Sequence, residues 1–512
     1  MNKLKPFSTG LGLLPNKFKI ISPRNEKRRI NLFIFGYFLV LFFPALRYSK
    51  PWSDDWALYW DTRSNSAEII NATVSNGRPV LGWLLRSAYS SSFFSNNLIA
   101  LQLVSIVGIY LLGLAIYSKM RASQFGLSTS LILVLGVGLL PGFQEYVYFI
   151  SCFAYSWACL LGFLSFTLVA SKRLHLRFLG VCFLTLSFLI YPTGAMFYFL
   201  AFYIEYLASL SESMSLARFI KKIQINMYGF IISILISLSC AILISKILGI
   251  DSASRVQLVD TFALAQSKFE WILTRLFVFE FRIFSTVSPT PTQAILEFCL
   301  IFIPFSLALL APWRELNRKK FFQCTLILLL PLLGALPNLV ISENQFEYRT
   351  LTAAHSMALL MWLISVGKLL DLISNLKPRR VIRPLVSKKF IILLATTLIL
   401  SLFGQAQIDS KRLWITPSLK RDAITDKTID NAPVLPPPAV CLVIPPGVYT
   451  PLTRMGVYSL KSDLISEWVP DPYIRITLGA KSIDFLGKVE VVKSVNKCQQ
   501  GYLVIDYSEL AD

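Results

Sequence analysis

The chain has 512 residues, of which 54% are hydrophobic and only 15% charged, whereas charged residues make up about a quarter of an ordinary soluble protein. With a mean hydropathy of +0.59, this excludes a typical soluble domain and points to a polytopic membrane protein. The net charge of +21 does not mark a nucleic-acid binder: residues 405–512 carry 12 basic and 12 acidic side chains, and residues 1–404 carry the whole excess, 38 basic against 17 acidic. That excess lies largely in short clusters between apolar runs, the pattern of cytoplasmic loops.

The first 29 residues are polar and basic. The apolar run 30–46 follows without a small-residue cleavage site, so it reads as a retained anchor. Further apolar runs occupy 98–117, 126–140, 149–170, 178–190, 195–210, 227–248, 294–311, 321–341, 351–366 and 390–403. This predicts eleven spans. Several are shorter than the ~20 residues a straight helix needs to cross the hydrocarbon, so their edges extend by a few residues.

The basic clusters test that count. Lys119/Arg121, Lys172/Arg173/Arg177, Arg218/Lys221/Lys222, Arg314/Arg318/Lys319/Lys320 and the stretch from Lys377 to Lys389 fall after every second span. The short turns 141–148 and 191–194 carry no Lys or Arg. Cytoplasmic loops collect basic residues, so the N-terminus is expected inside, both bare turns outside and the C-terminal tail exported. The first long loop, with Arg47, Lys50, Arg63, Arg78 and Arg86, departs from the rule. Segments 47–97, 249–292 and 342–349 are thereby expected on the outer face.

Residues 405–438 read as a linker with some helix, closed by the stiff Pro436-Pro437-Pro438. Residues 439–512 read as a small exported α/β or β domain, with strands expected at 439–444, 473–478, 489–495 and 502–507. Cys441 and Cys498 are the only cysteines of this polar part, and in an exported domain they are a reasonable disulfide pair. The other six lie in or beside apolar runs and read as small core residues.

The chemistry-bearing residues concentrate in the outer segments. Asp54-Asp55 stand at the expected outer surface, where a carboxylate can deprotonate an incoming hydroxyl. Adjacent side chains on a helix point about 100° apart, so one of the pair is expected to be the base and the other to orient it, or to bind sugar or metal. Trp52, Trp56 and Trp60 make a one-sided stripe, readable as a headgroup-level anchor or as a sugar-stacking platform. Asn76-Gly77-Arg78-Pro79 supplies a tight turn and a guanidinium. Arg349 either pairs with Glu343 or Glu347, or offers a planar fork to a phosphate. Glu145 is a further outer acidic candidate, and His355 reads as hydrogen-bonded packing. Nothing has the spacing of a Walker motif, a dinucleotide fingerprint, a zinc set or a nucleophile elbow.

An acidic pair in the first outer loop, then Gly77-Arg78, then Glu347-Tyr348-Arg349 before a late helix, resembles the bacterial Gtr-type glucosyltransferases. These modify O-antigen and belong to the GT-C superfamily of polyprenyl-dependent glycosyltransferases. The resemblance implies a GT-C-like all-α membrane domain of about eleven helices over residues 30–404, in the bacterial inner membrane. It implies a catalytic acid at Asp54 or Asp55, and donor or phosphate contacts at Arg78 and Arg349. Further substrate contacts are expected at Trp56, Asp61, Arg63, Glu145, Glu347 and Tyr348. The donor would be an undecaprenyl-phosphate-linked sugar and the acceptor a glycan such as O-antigen, with no nucleic acid involved. No organic cofactor is implied. The chain lacks a clear Asp-x-Asp, which leaves divalent-metal use open. A transporter or flippase of lipid-linked sugars would keep charged groups inside its spans, where only Glu205, Lys246 and Glu297 occur. An O-antigen polymerase or ligase would lean on arginines of a large late loop.

The loop-charge pattern makes a direct prediction. A reporter fused after Asp512 should be active only if it is a type that works outside the cytoplasm. Activity of a cytoplasmic reporter there would overturn the exported tail.

Overall fold

The computed structural model describes residues 23–49, 51, 54–63, 67–91, 97–209, 216–251, 262–272, 329–341, 348–375, 399–400, 403–404, 406–408, 415–433, 435–444, 470–483 and 485–507. Most of them are helical, and a small sheet closes the chain. Five helices are long and apolar enough to cross a membrane: 25–47, 98–122, 150–169, 223–248 and 349–367. A bent helix pair makes six if it is one span. Expected span 294–311, residues 321–328 of the span 321–341 and most of 390–403 lie outside the described residues.

The helix faces show why these segments belong in lipid. In α1 (Pro23–Arg47), Ile34, Phe38, Leu41, Phe42 and Ala45 recur at helical spacing and are buried. Leu32, Phe33, Val40 and Phe43 on its other side are each more than half exposed. In α5 (Leu98–Ala122) the exposed stripe is Ile99, Leu103 and Val107. In α12 (Leu216–Leu248) Ile231, Leu235, Leu238, Ile242 and Ile247 all face outward. Patches of this size are not tolerated in water and are met by acyl chains.

Between α1 and α5 lie three short helices, α2 (Asp54–Arg63), α3 (Glu68–Ser75) and α4 (Pro79–Ser90). The Asn76-Gly77-Arg78-Pro79 turn forms as its residue types suggest. Gly77 ends α3 at φ +70°, the Arg78 amide donates to the Thr73 carbonyl at 2.8 Å, and Pro79 opens α4, where no amide hydrogen is needed.

Segment 141–148, expected as an outer turn, is instead a buried helix. α6 (Leu127–Gly138) and α7 (Pro141–Tyr148) meet at a 50° bend, and every residue of α7 is buried. Pro141 suits the first helical turn, while Phe143, Tyr146 and Val147 share an apolar face. A loop bare of Lys and Arg satisfies the charge rule equally well whether it is solvated or folded back into the protein. A 3-10 turn, Ile150–Cys152, then leads into α8 (Tyr155–Val169).

α9 (Leu174–Ile190) returns antiparallel to α8, and the single turn α10 (Pro192–Ala195) follows. Close approach at this corner depends on glycines. A Cβ on Gly194 would sit 2.9 Å from the Ala158 Cβ, and one on Gly162 would sit 2.9 Å from Ala195 backbone. α11 (Phe197–Ser209) is almost wholly buried. Its Glu205 pairs with Lys119 of α5, which partners one of the few intramembrane carboxylates. α13 (Phe262–Trp271), α14 (Leu336–Val340) and α15 (Tyr348–Asn375) complete the membrane part as described.

The tail holds a parallel sheet ordered β2-β1-β3, with β1 Ala439–Val443, β2 Lys488–Val492 and β3 Leu503–Asp506. The strand expected at 473–478 is instead helical, within α17 (Pro470–Ala480). Its buried residues Tyr473, Ile474 and Leu478 have helical spacing, and parallel strands need a crossover connection, usually a helix. α16 (Thr416–Asp430), in the segment read as linker, packs into the same core through Ile424 and Ile429. One sheet face carries Val440, Leu442 and Ile444 under these helices, and the other carries Cys441 bonded to Cys498.

The glycine corner yields a prediction. Gly194→Val should cost about 1–3 kcal/mol, the usual penalty of overpacking, and lower the melting temperature of the detergent-purified protein. An unchanged melting temperature would mean that α8 and α10 are not held this closely.

Candidate active site

Asp55 anchors the first loop. Its Oδ2 accepts the Ile150 backbone N–H at 2.9 Å and its Oδ1 accepts that of Ser151 at 2.8 Å. The carboxylate is fully buried and caps the 3-10 turn after α7, whose amides have no intrahelical acceptor. One turn further along α2, the Tyr59 ring meets the edge of Tyr89 at 6.2 Å. Burial, reinforced by the Asp55 charge, pushes the Tyr89 phenol well above its ordinary value and keeps it neutral.

The capped turn fixes a cluster of tyrosines beside it. Tyr155, at the start of α8, stacks on Tyr191 with centroids 3.8 Å apart and planes 7° apart. Tyr146 stands edge-on to both, at 5.5 and 6.0 Å. The close glycine packing of α8 against α10 brings Tyr191 up to Tyr155.

Two arginines converge on this cluster from distant parts of the chain. Arg78 lies 5.2 Å from the Tyr191 ring centroid and donates to the Tyr155 hydroxyl at 3.3 Å. Arg349, at the start of α15, lies 5.5 Å from the Phe149 ring, with its Nε 4.0 Å from Glu145 Oε2. Tyr146 donates to the Arg349 carbonyl at 2.7 Å, and its hydroxyl lies 3.1 Å from that of Thr352. Burial, reinforced by the neighbouring Tyr155, pushes the Tyr191 phenol well up, and the charges of Arg349 and Arg78 offset part of that rise. The Nε–H of Arg78 is buried without a hydrogen-bond partner among the described residues.

Asp55, Arg78, Glu145 and Arg349, separated by up to 294 residues, are thus brought to one end of the helix bundle. Arg349 pairs with Glu145. Glu343 and Glu347, the partners considered from sequence, lie outside the described residues, as do Trp52 and the side chains of Asp54, Asp61, Arg63 and Tyr348. Trp56 and Trp60 turn to the tail domain: Trp56 meets Tyr473 at 5.1 Å, and the Arg475 guanidinium lies 5.8 Å from the Trp60 ring. His355 is buried in α15. Among the described residues no group of three His, Cys, Asp or Glu side chains is placed to hold a metal ion.

Sequence reasoning missed Tyr146, Tyr155, Tyr191 and Lys268. Tyr146 and Tyr191 occupy the two bare turns, and that coincidence was the available signal. Lys268 is buried in α13, donates to the Asn338 carbonyl at 3.2 Å and lies 4.6 Å from the Trp271 ring centroid. Asn338 in turn donates to the Thr350 hydroxyl, one residue after Arg349. No pattern in the segment 249–292 distinguishes Lys268 from its neighbours.

Chemically, this is an aromatic cluster with two permanently charged planar forks, two buried carboxylates, Asp55 and Glu145, and a buried Arg78 Nε–H without a hydrogen-bond partner among the described residues. Such forks match phosphate oxygens, and exclusion of water strengthens the attraction. No protein-family model matches the chain, and no curated relative matches its sequence.

Two substitutions separate anchoring from binding. Asp55→Asn leaves one backbone amide facing an NH2 group, so it should destabilise the fold by about 1–3 kcal/mol, read as a lower melting temperature. Arg349→Lys should weaken binding of a polyprenyl phosphate nearly as much as Arg349→Ala, because an ammonium cannot reproduce a planar fork. Wild-type binding by the lysine variant would indicate a simple surface charge.

Proposed function

We propose that the chain is a bacterial inner-membrane glycosyltransferase. It takes a sugar, glucose in the reading preferred here, from an undecaprenyl-phosphate-linked donor and transfers it to a surface glycan such as O-antigen. In this reading the N-terminus is cytoplasmic, eleven helices span the membrane, and the Arg78/Arg349 end and the tail face the periplasm.

The carrying observation is that Arg78 and Arg349 lie against rings of one aromatic cluster, Arg78 on Tyr191 and Tyr155 and Arg349 on Phe149, with a buried Arg78 Nε–H that has no hydrogen-bond partner among the described residues. A phosphate linking polyprenol to sugar supplies matching oxygens beside the Tyr155–Tyr191 stack. As the phosphate leaves with developing negative charge, the guanidiniums stabilise it. With both Asp55 oxygens holding backbone amides, the role of general base falls to Asp54, the first residue of the same helix. Asp54 takes the proton of the acceptor hydroxyl as that oxygen attacks the anomeric carbon. Glu145 aligns Arg349 and offsets part of its charge.

The pair Arg78 and Arg349 also suits an O-antigen polymerase or ligase, which would bind a lipid-linked oligosaccharide. The products distinguish the two: a glycosyltransferase adds a side sugar and leaves chain length unchanged.

Asp54→Asn should lower transfer from a polyprenyl-phosphate-sugar by about 10²–10⁴-fold with normal membrane insertion, measured with purified protein and a labelled donor. Wild-type transfer by this variant would remove Asp54 as the base. Deletion of the gene should remove one sugar substituent from a surface glycan by mass spectrometry, whereas altered chain length alone would favour the polymerase or ligase.

A further inference from the structure

α2 has only ten residues, fewer than the roughly 12–15 an isolated helix needs even to be marginal in water. Its order therefore comes from what it packs against, and it is held on two adjacent stripes. Asp55 and Tyr59 face the membrane core. Trp56 and Trp60, one turn apart, face the tail domain.

The tail side is built around a buried cation. Arg421 of α16 is 0% exposed, yet its guanidinium lies 4.6 Å from the Tyr473 ring and 5.5 Å from the Trp56 ring. Asp422 holds it at 3.1 Å. Behind it the Thr425 hydroxyl lies 2.8 Å from those of both Tyr473 and Tyr507, fixing α16 to α17 and β3. Arg475, over Trp60, is itself fixed by Asp471 at 2.6 Å and by the carbonyls of Phe485 and Gly487. A buried arginine is a costly way to fill space and a good way to fix an orientation. Trp56 belongs to the tail's own apolar core, alongside Val440, Leu442 and Ile505.

We infer that the tail domain is a positioning clamp for α2: Arg421 and Tyr473 grip Trp56, Arg475 covers Trp60, and together they set the helix that begins at Asp54. The tail thus takes part in the transfer step itself, in addition to any hold on the acceptor. This role rests on the glycosyltransferase reading; the mechanical clamp does not.

The test uses the full-length protein in lipid nanodiscs, altered from either side of the contact. Arg421→Met removes the cation from the tail, and Trp56→Leu removes the ring from α2 while keeping an apolar side chain in the tail core. Trp56→Phe keeps a ring for Tyr473 and serves as the conservative rescue. Three quantities are read: amide hydrogen exchange of α2 peptides, kcat and acceptor KM for transfer, and hydrolysis of the donor without acceptor. Both disruptive variants should speed exchange in α2 but not in α9. They should lower kcat and donor hydrolysis together by on the order of tenfold to a hundredfold, the scale of an ångström-level misplacement, with acceptor KM unchanged. Trp56→Phe should recover most of the rate. Unchanged α2 exchange would overturn the clamp. A raised acceptor KM with normal donor hydrolysis would overturn the positioning role, leaving the tail as an acceptor-binding domain. If α2 exchange responds as expected but the wild-type protein turns over no lipid-linked sugar, the clamp stands and the glycosyltransferase reading falls.

Discussion

The site depends on one carboxylate gripping two backbone amides. Asp55 joins the first short helix to the corner after the bent pair α6–α7. Charge-assisted hydrogen bonds of this kind contribute about 1.5–3 kcal/mol each, and inside the protein they are protected from competing water. The same corner carries Glu145 and Tyr146 on one side and Tyr155 on the other. Fixing it places the cluster on which Arg78 and Arg349 converge, and it fixes α2 with Trp56 presented to the tail.

The arginines are held largely by rings. Arg78 has a tyrosine face and a phenol hydroxyl, and Arg349 a phenylalanine face and a carboxylate at 4.0 Å. Rings stabilise a guanidinium without consuming its N–H groups, and the buried Nε–H of Arg78 has no hydrogen-bond partner among the described residues.

Five of the eleven expected spans recur among the described residues as helices long and apolar enough to cross a membrane, because long apolar runs have few alternative folds, and the Asn76-Gly77-Arg78-Pro79 turn was legible because left-handed glycine and helix-initiating proline act locally. The bent helix α7 was not, since a run bare of Lys and Arg looks alike whether solvated or folded inward. The 473–478 segment was taken for a strand because its apolar residues suit either element, and only the parallel pairing of β1 with β2 requires a helix there. At the site, Asp55, Arg78, Glu145 and Arg349 stood out as charges between the apolar runs of the chain. Their partners did not. That Arg349 meets Glu145, or that Tyr155 stacks on Tyr191, is a long-range fact of packing that no local spacing encodes.

The central claim is that Arg78 and Arg349 together hold the phosphate of a polyprenyl-linked sugar. The most direct test is a cryo-electron microscopy structure of the protein in nanodiscs with a polyprenyl-phosphate-sugar bound. The account predicts phosphate density between the two guanidiniums, beside the Tyr155–Tyr191 stack, with the polyprenyl chain leaving toward the lipid. Phosphate density at the opposite, Lys- and Arg-rich end of the bundle, with none at Arg78 and Arg349, would contradict it.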